Sequence, residues 1–134
     1  MKNKIFQSRV CVCAHLTQTR YAQKTCAEMW KNMQKNILCF GDSNTHGYNS
    51  KTGGRFDVNE RWTKHLQKNL GDDYYIIEEG LSGRTTSFED PVFEGLCGLN
   101  VIYPCMMSHE PLDLVIIMLG TNDVKERFGA NAAC

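Results

Sequence analysis

Three short glycine-bearing stretches hold the residue types from which acyl-transfer chemistry is built: Gly41-Asp42-Ser43-Asn44, Gly80-Leu81-Ser82-Gly83-Arg84 and Gly120-Thr121-Asn122-Asp123. That chemistry needs a nucleophile, and preorganised hydrogen-bond donors where the carbonyl oxygen turns negative. Ser43 offers a hydroxyl and its own backbone N–H at the start of a helix. Gly83 offers an N–H that no side chain screens, and Asn122 a side-chain amide. Each such donor is worth a factor of about 10²–10³ in rate. Any one of these turns would ordinarily be structural; brought to one rim, the three would form an oxyanion hole.

What must position them is legible in the stretches before each turn. Ile37-Leu38-Cys39-Phe40 is apolar without alternation and stops at Gly41, the pattern of a strand buried on both faces. Tyr74 to Glu78 predicts a second strand ending before Gly80, and Leu112 to Leu119 a third ending at Gly120. Between the first two, Asn59 is placed to cap a helix whose apolar positions Trp62, Leu66 and Leu70 recur every four residues, with Gly71 as its stop. After a loop from Leu81 to Gly98, a second helical pattern sets Leu99, Ile102, Tyr103 and Met106 on one face, with Pro104 predicting a kink or a late start. Strand-helix-strand repeats imply an α/β fold, a parallel sheet with right-handed crossovers and helices on both faces. In such a sheet reactive groups gather beyond the carboxyl ends of the strands, where all three turns lie.

Composition narrows the class. The 134 residues carry 15 Lys+Arg against 15 Asp+Glu and are 42% hydrophobic, which suits one globular domain and excludes collagen, coiled coil and wholesale disorder. No apolar run approaches the roughly 18 residues of a membrane-spanning helix, so no membrane partner is expected. Zero net charge hides an asymmetry: residues 1–35 hold seven bases to one acid, whereas 36–134 hold eight to fourteen. The first stretch therefore reads as a basic extension without a fold of its own, upstream of Met33, and 36–134 as the domain. Its apolar patch, Val10 to Ala14, is too short for a secretory signal, and it lacks the amphipathic pattern of a transit peptide and the interleaved aromatics of a nucleic-acid arm. Seven cysteines follow no secreted disulfide framework and imply reduced thiols in a cytoplasm. Cys11, Cys13, His15 and Cys26 do not have the usual zinc-ligand gap.

The three turns, with Arg61-Trp62, the Ile77 to Thr86 stretch and the Val115 to Asp123 stretch, are similar in order and spacing to the first three sequence blocks of the SGNH hydrolases, the GDSL-type esterases and lipases, and specifically to their arylesterase and acyltransferase branch. The resemblance implies a flavodoxin-like sheet represented by its first three strands. It makes Ser43 the nucleophile and Ser43, Gly83 and Asn122 the oxyanion hole, with Asp42 and Asp123 supporting the turns. It further implies a small ester as substrate, an acyl-serine intermediate and no cofactor, and leaves a second copy of the chain open as a partner. The family's fourth block, Asp-x-x-His, which supplies the base and its carboxylate, has no counterpart in this sequence, which ends eleven residues after Asp123. The chain thus resembles the front portion of such an enzyme, and an inactive fragment is the alternative.

Other chemistries fit less well. Of the histidines, His46 follows Ser43 by three residues, but surface or packing roles suit it, as they do His15, His65 and His109. Gly41 to Gly47 lacks the Lys-Ser/Thr ending of a phosphate-binding loop. Asp42, Asn44, Asp123 and His46 could serve a metal-dependent phosphoesterase, a reading that chelation would separate from a serine esterase.

Overall fold

The computed structural model describes residues 34–130. They fall within one compact unit, Gln34–Cys134. Most of the basic extension, and with it Cys11, Cys13, His15 and Cys26, lies outside the described residues.

Three strands, β1 (Lys35–Gly41), β2 (Tyr74–Gly80) and β3 (Leu114–Met118), pair in the order β2-β1-β3 with both pairings parallel. The register sets Gly41 beside Gly80 on one side and beside Met118 on the other, so the three strands end at one level. Their connections carry the helices α1 (Ser43–His46), α2 (Trp62–Leu70) and α3 (Gly98–Ser108). Successive residues of a strand point to opposite faces, and β2 displays this directly. Glu78 meets Arg61 and Thr63 at the start of α2, whereas Glu79 meets His109 at the end of α3. The two longer helices therefore cover opposite faces, the α/β architecture expected.

Ile37, Cys39 and Ile76 form the buried cluster on the α2 face, with Trp62, Leu66, Leu70, Tyr74 and Ile116 packed against it. On the other face Leu38 and Phe40 are essentially inaccessible. Among the described residues no helix is long and apolar enough to cross a membrane.

Local chemistry shifts several boundaries. Leu112 and Asp113 do not join β3, because the backbone N–H of Asn36 donates to the Asp113 carboxylate at 2.9 Å and fixes where the ladder begins. Asn59 caps nothing. Asp57 caps a 3-10 turn at Val58–Glu60 through a capping box with Glu60, and α2 starts after extended Arg61 with no side-chain cap. Pro104 sits inside α3, which runs through it. The apolar face expected on that helix is rotated: Leu99 and Tyr103 are 65% and 69% exposed, while Val101, Ile102, Cys105 and Met106 turn inward.

Candidate active site

The first turn is held by its own aspartate. Asp42, just after β1, donates its N–H to the carbonyl of Met118 at 3.3 Å, and its carboxylate accepts from the Asn44 backbone N–H at 2.9 Å and from the Asn44 amide at 3.1 Å. This caps α1 and leaves Ser43, half-buried, at the first helical position. Gly80 lets α1 press onto the end of β2, since a Cβ there would lie 2.1 Å from the backbone nitrogen of His46. The neighbouring Leu81 N–H then donates to the Gly41 carbonyl at 3.1 Å, tying the second turn to the first.

Gly83 sits at φ +90°, a conformation that side-chain-bearing residues rarely adopt. Arg84, next in sequence, turns back beneath the rim. Its Nη1 donates to the carbonyls of Gly41, at 3.0 Å, and of Glu79, and its guanidinium lies 4.0 Å from the ring centre of Phe40. The backbone carbonyl of Arg84 accepts from the Asn122 side-chain amide at 2.9 Å. Asp123 accepts from the Thr86 backbone N–H at 2.9 and 3.1 Å and from the Thr86 hydroxyl. The structure thus brings the three turns together through direct bonds. Asn122 and Asp123 are buried, and the second amide hydrogen of Asn122 has no partner among the described residues.

Electrostatically the rim is unusual for its buried cation. Burial pulls the Arg84 guanidinium below its ordinary range, opposed by the negative charge of Glu79 and by Cys105 and Asp42. Asp42 Oδ2, Thr45 Oγ1 and Arg84 Nε are buried without a hydrogen-bond partner among the described residues. Each orphan of this kind costs about 1–3 kcal/mol, and such groups collect where strain or function is stored.

No imidazole bonds to Ser43 among the described residues. His46 ends α1 with its carbonyl accepting from Arg55 Nε at 2.6 Å; His65 is exposed on α2; His109 Nε2 lies 2.9 Å from Glu79 Oε1. Among the described residues, the ligand atoms of Asp42, Asp123 and His46 do not come together; those of Glu79, Cys105 and His109 alone form a set of three lying within 4.8 Å of one another. A recess of about 420 Å³ lies by α2, lined by Val58, Asn59, Lys64, His65, Gln67 and Lys68, and includes none of Ser43, Gly83 and Asn122. Trp62 packs against the core, Phe88 stacks on Phe128 at 5.4 Å, and Phe93 and Tyr103 are exposed.

Sequence reasoning gave Arg84 no role of its own. The signal was its place directly after Gly83: a cation entering a rim otherwise built of small residues must find carbonyls or carboxylates there.

The model of the GDSL-like Lipase/Acylhydrolase family matches residues 39–133, and the chain belongs to that family. It is similar to the native aryl esterase of M. smegmatis, with 50% identity, a TM-score of 0.69, and coverage of 72% of this chain and 47% of that one. A carbohydrate acetylesterase from Sinorhizobium meliloti is 48% identical with a TM-score of 0.70, over 73% of this chain and 47% of the other. An esterase of the SGNH-hydrolase family is 32% identical with a TM-score of 0.56, over 75% and 46%. The chain spans about half the length of these structures. No curated protein matches it.

Proposed function

We propose that the chain carries the nucleophile and oxyanion-hole half of a serine esterase site acting on small esters. Ser43 Oγ attacks the ester carbonyl and its proton passes to a base. The backbone N–H groups of Ser43 and Gly83 and the Asn122 amide hold the oxyanion. The alcohol then leaves protonated, and water, or another alcohol, takes the acyl group from the serine. The observation that carries this reading is the bond from the Asn122 amide to the Arg84 carbonyl, which seats the third turn against the residue following Gly83. The aryl esterase and acetylesterase activities named for similar proteins favour a short acyl group. Free Cys39, Cys97 and Cys105 suit a reducing cytoplasm.

The described residues bring no base to Ser43, so turnover rests on binding and the oxyanion hole, about 10³–10⁴ over water in serine hydrolases stripped of their triad. Labelling with a fluorophosphonate probe, read by mass spectrometry beside hydrolysis of an activated acetate ester, tests the reading. The expected result is an adduct on Ser43 that Ser43→Ala abolishes, with slow hydrolysis that Ser43→Ala changes little, because no base activates the hydroxyl. A folded sample with neither adduct nor hydrolysis establishes the alternative, a catalytically inactive chain. Hydrolysis that survives Ser43→Ala and stops with chelator overturns the serine mechanism in favour of a metal-dependent one.

A further inference from the structure

Outside the rim, one cluster joins three different metal-binding side chains. Alternation along β2 turns Glu79 toward α3, and Cys105 and His109, four residues apart at the end of that helix, share one side of it. A carboxylate oxygen, the thiol sulfur and an imidazole nitrogen from the three all lie within 4.8 Å of one another, and all three residues are half-buried. The hydrogen bond between His109 and Glu79 accounts for two of them and leaves the cysteine thiol unexplained.

We propose that Glu79, Cys105 and His109 form a Zn²⁺ site, separate from Ser43, that fastens the end of α3 to β2. A thiolate, an imidazole and a carboxylate are the ligand types zinc accepts, and three protein ligands leave the fourth tetrahedral position to water. Zinc bonds of about 2.0–2.3 Å hold ligand atoms roughly 3.3–3.8 Å apart, so the His109–Glu79 contact of 2.9 Å opens slightly as the ion enters. The thiol proton leaves to solvent as the Zn–S bond forms, His109 binds through its neutral Nε2, and Glu79 through its carboxylate. Arg84 is the opposing charge nearby. Its guanidinium is committed to the Gly41 and Glu79 carbonyls and to the Phe40 ring, and the thiolate and carboxylate together balance the two charges of the ion.

Co²⁺ is the probe, titrated into the full reduced chain and followed by absorption, with thermal melts by circular dichroism in the presence of Zn²⁺. The expected result is one ion per chain, giving a thiolate-to-cobalt charge-transfer band that Zn²⁺ displaces, and a higher melting temperature with Zn²⁺. Cys105→Ser removes the band and the thermal shift. Glu79→Gln lowers Co²⁺ affinity at least about tenfold, the loss that even an indirect metal partner produces. The triple variant Cys11→Ser, Cys13→Ser, Cys26→Ser keeps both signals. Absence of a band in the folded chain, a band that persists in Cys105→Ser, or a band lost in the triple variant overturns the proposal. Should Cys105→Ser not fold, an unchanged affinity in Glu79→Gln does so as well.

Discussion

In β1, Leu38 and Cys39 are fully inaccessible and Phe40 is 1% exposed, whereas in β3, on the adjoining strand, Leu114 is 50%, Ile117 58% and Met118 40% exposed. Both are continuous apolar runs of the kind that parallel sheets bury on both faces. The difference lies in their neighbours. β1 runs between two strands and beneath two helices; β3 has β1 on one side, and no described strand pairs with its other edge. Yet the turn that follows β3 is buried, because Asn122 and Asp123 bond inward to Arg84 and Thr86. The site therefore depends on hydrogen bonds drawn toward β1 and β2, and little on how well β3 itself is covered.

If β1 is the pillar of the site, removing its largest buried side chain should do the most damage. Phe40 fills the core and is the surface on which the Arg84 guanidinium rests. Phe40→Ala is expected to cost about 3–5 kcal/mol in urea unfolding, the usual range for a buried phenylalanine. A loss below 1 kcal/mol, on the order of an exposed site, would remove the distinction between the strands.

Cys39 sharpens the same point through pH. Burial, and then the nearby Glu78 carboxylate, push its thiol up from 9.0 to about 11. A raised folded value means the native state resists ionisation that the unfolded chain undergoes. The stability tied to Cys39 is therefore complete below pH 9 and drains away as pH rises to about 11. Two units correspond to about 2.7 kcal/mol, an order-of-magnitude figure. Comparing unfolding of the parent and Cys39→Ala from pH 8 to 11 isolates it from tyrosine and lysine titration. The parent should lose stability more steeply, and parallel curves would refute the assignment.

Glu78 and Glu79 repeat the comparison on a smaller scale. Glu78 accepts from Arg61 Nη1 at 2.8 Å and from Thr63, with Lys64 Nζ at 3.8 Å and Arg55 Nη2 at 3.9 Å. Its side chain is 14% exposed, that of Glu79 34%. Without added metal, Glu78→Gln should cost about 2 kcal/mol and Glu79→Gln less than about 1 kcal/mol, measured by chemical denaturation. The reverse order would place the greater ionic stabilisation on the α3 face.

Strand identity and the meeting of three turns were legible because both follow from local pattern and parallel register: apolar runs end in glycine at Gly41, Gly80 and Gly120, and like ends align. Apart from the helix cap, which is local, the misread features depend on partners distant in sequence. Leu99 and Tyr103 fit the same helical stripe as Ile102 and Met106, but how far that stripe turns is decided by the sheet, and Ile102, Cys105 and Met106 are the ones it covers. Asn59 has good capping chemistry and lost to Asp57, whose box with Glu60 supplies two bonds. Arg84 could be seen beside Gly83, but its bonds to Gly41 and Glu79 need the strand pairing first. Glu79 and His109, thirty residues apart, meet only because α3 returns across β2.

The smallest expected effect is also the most discriminating for β3. Ile117 faces the same way along its strand as Phe40, its partner in the ladder, yet stays more than half exposed. Ile117→Thr keeps the β-branch that suits a strand and removes only apolar surface that water already reaches. It should change unfolding stability by no more than about 0.5 kcal/mol. Dilution distinguishes what a larger loss would mean: a cost that shrinks as protein concentration falls identifies a second copy covering β3, because association stabilises by mass action. A large cost independent of concentration shows that Ile117 is packed within a single chain, which ends the contrast between β1 and β3.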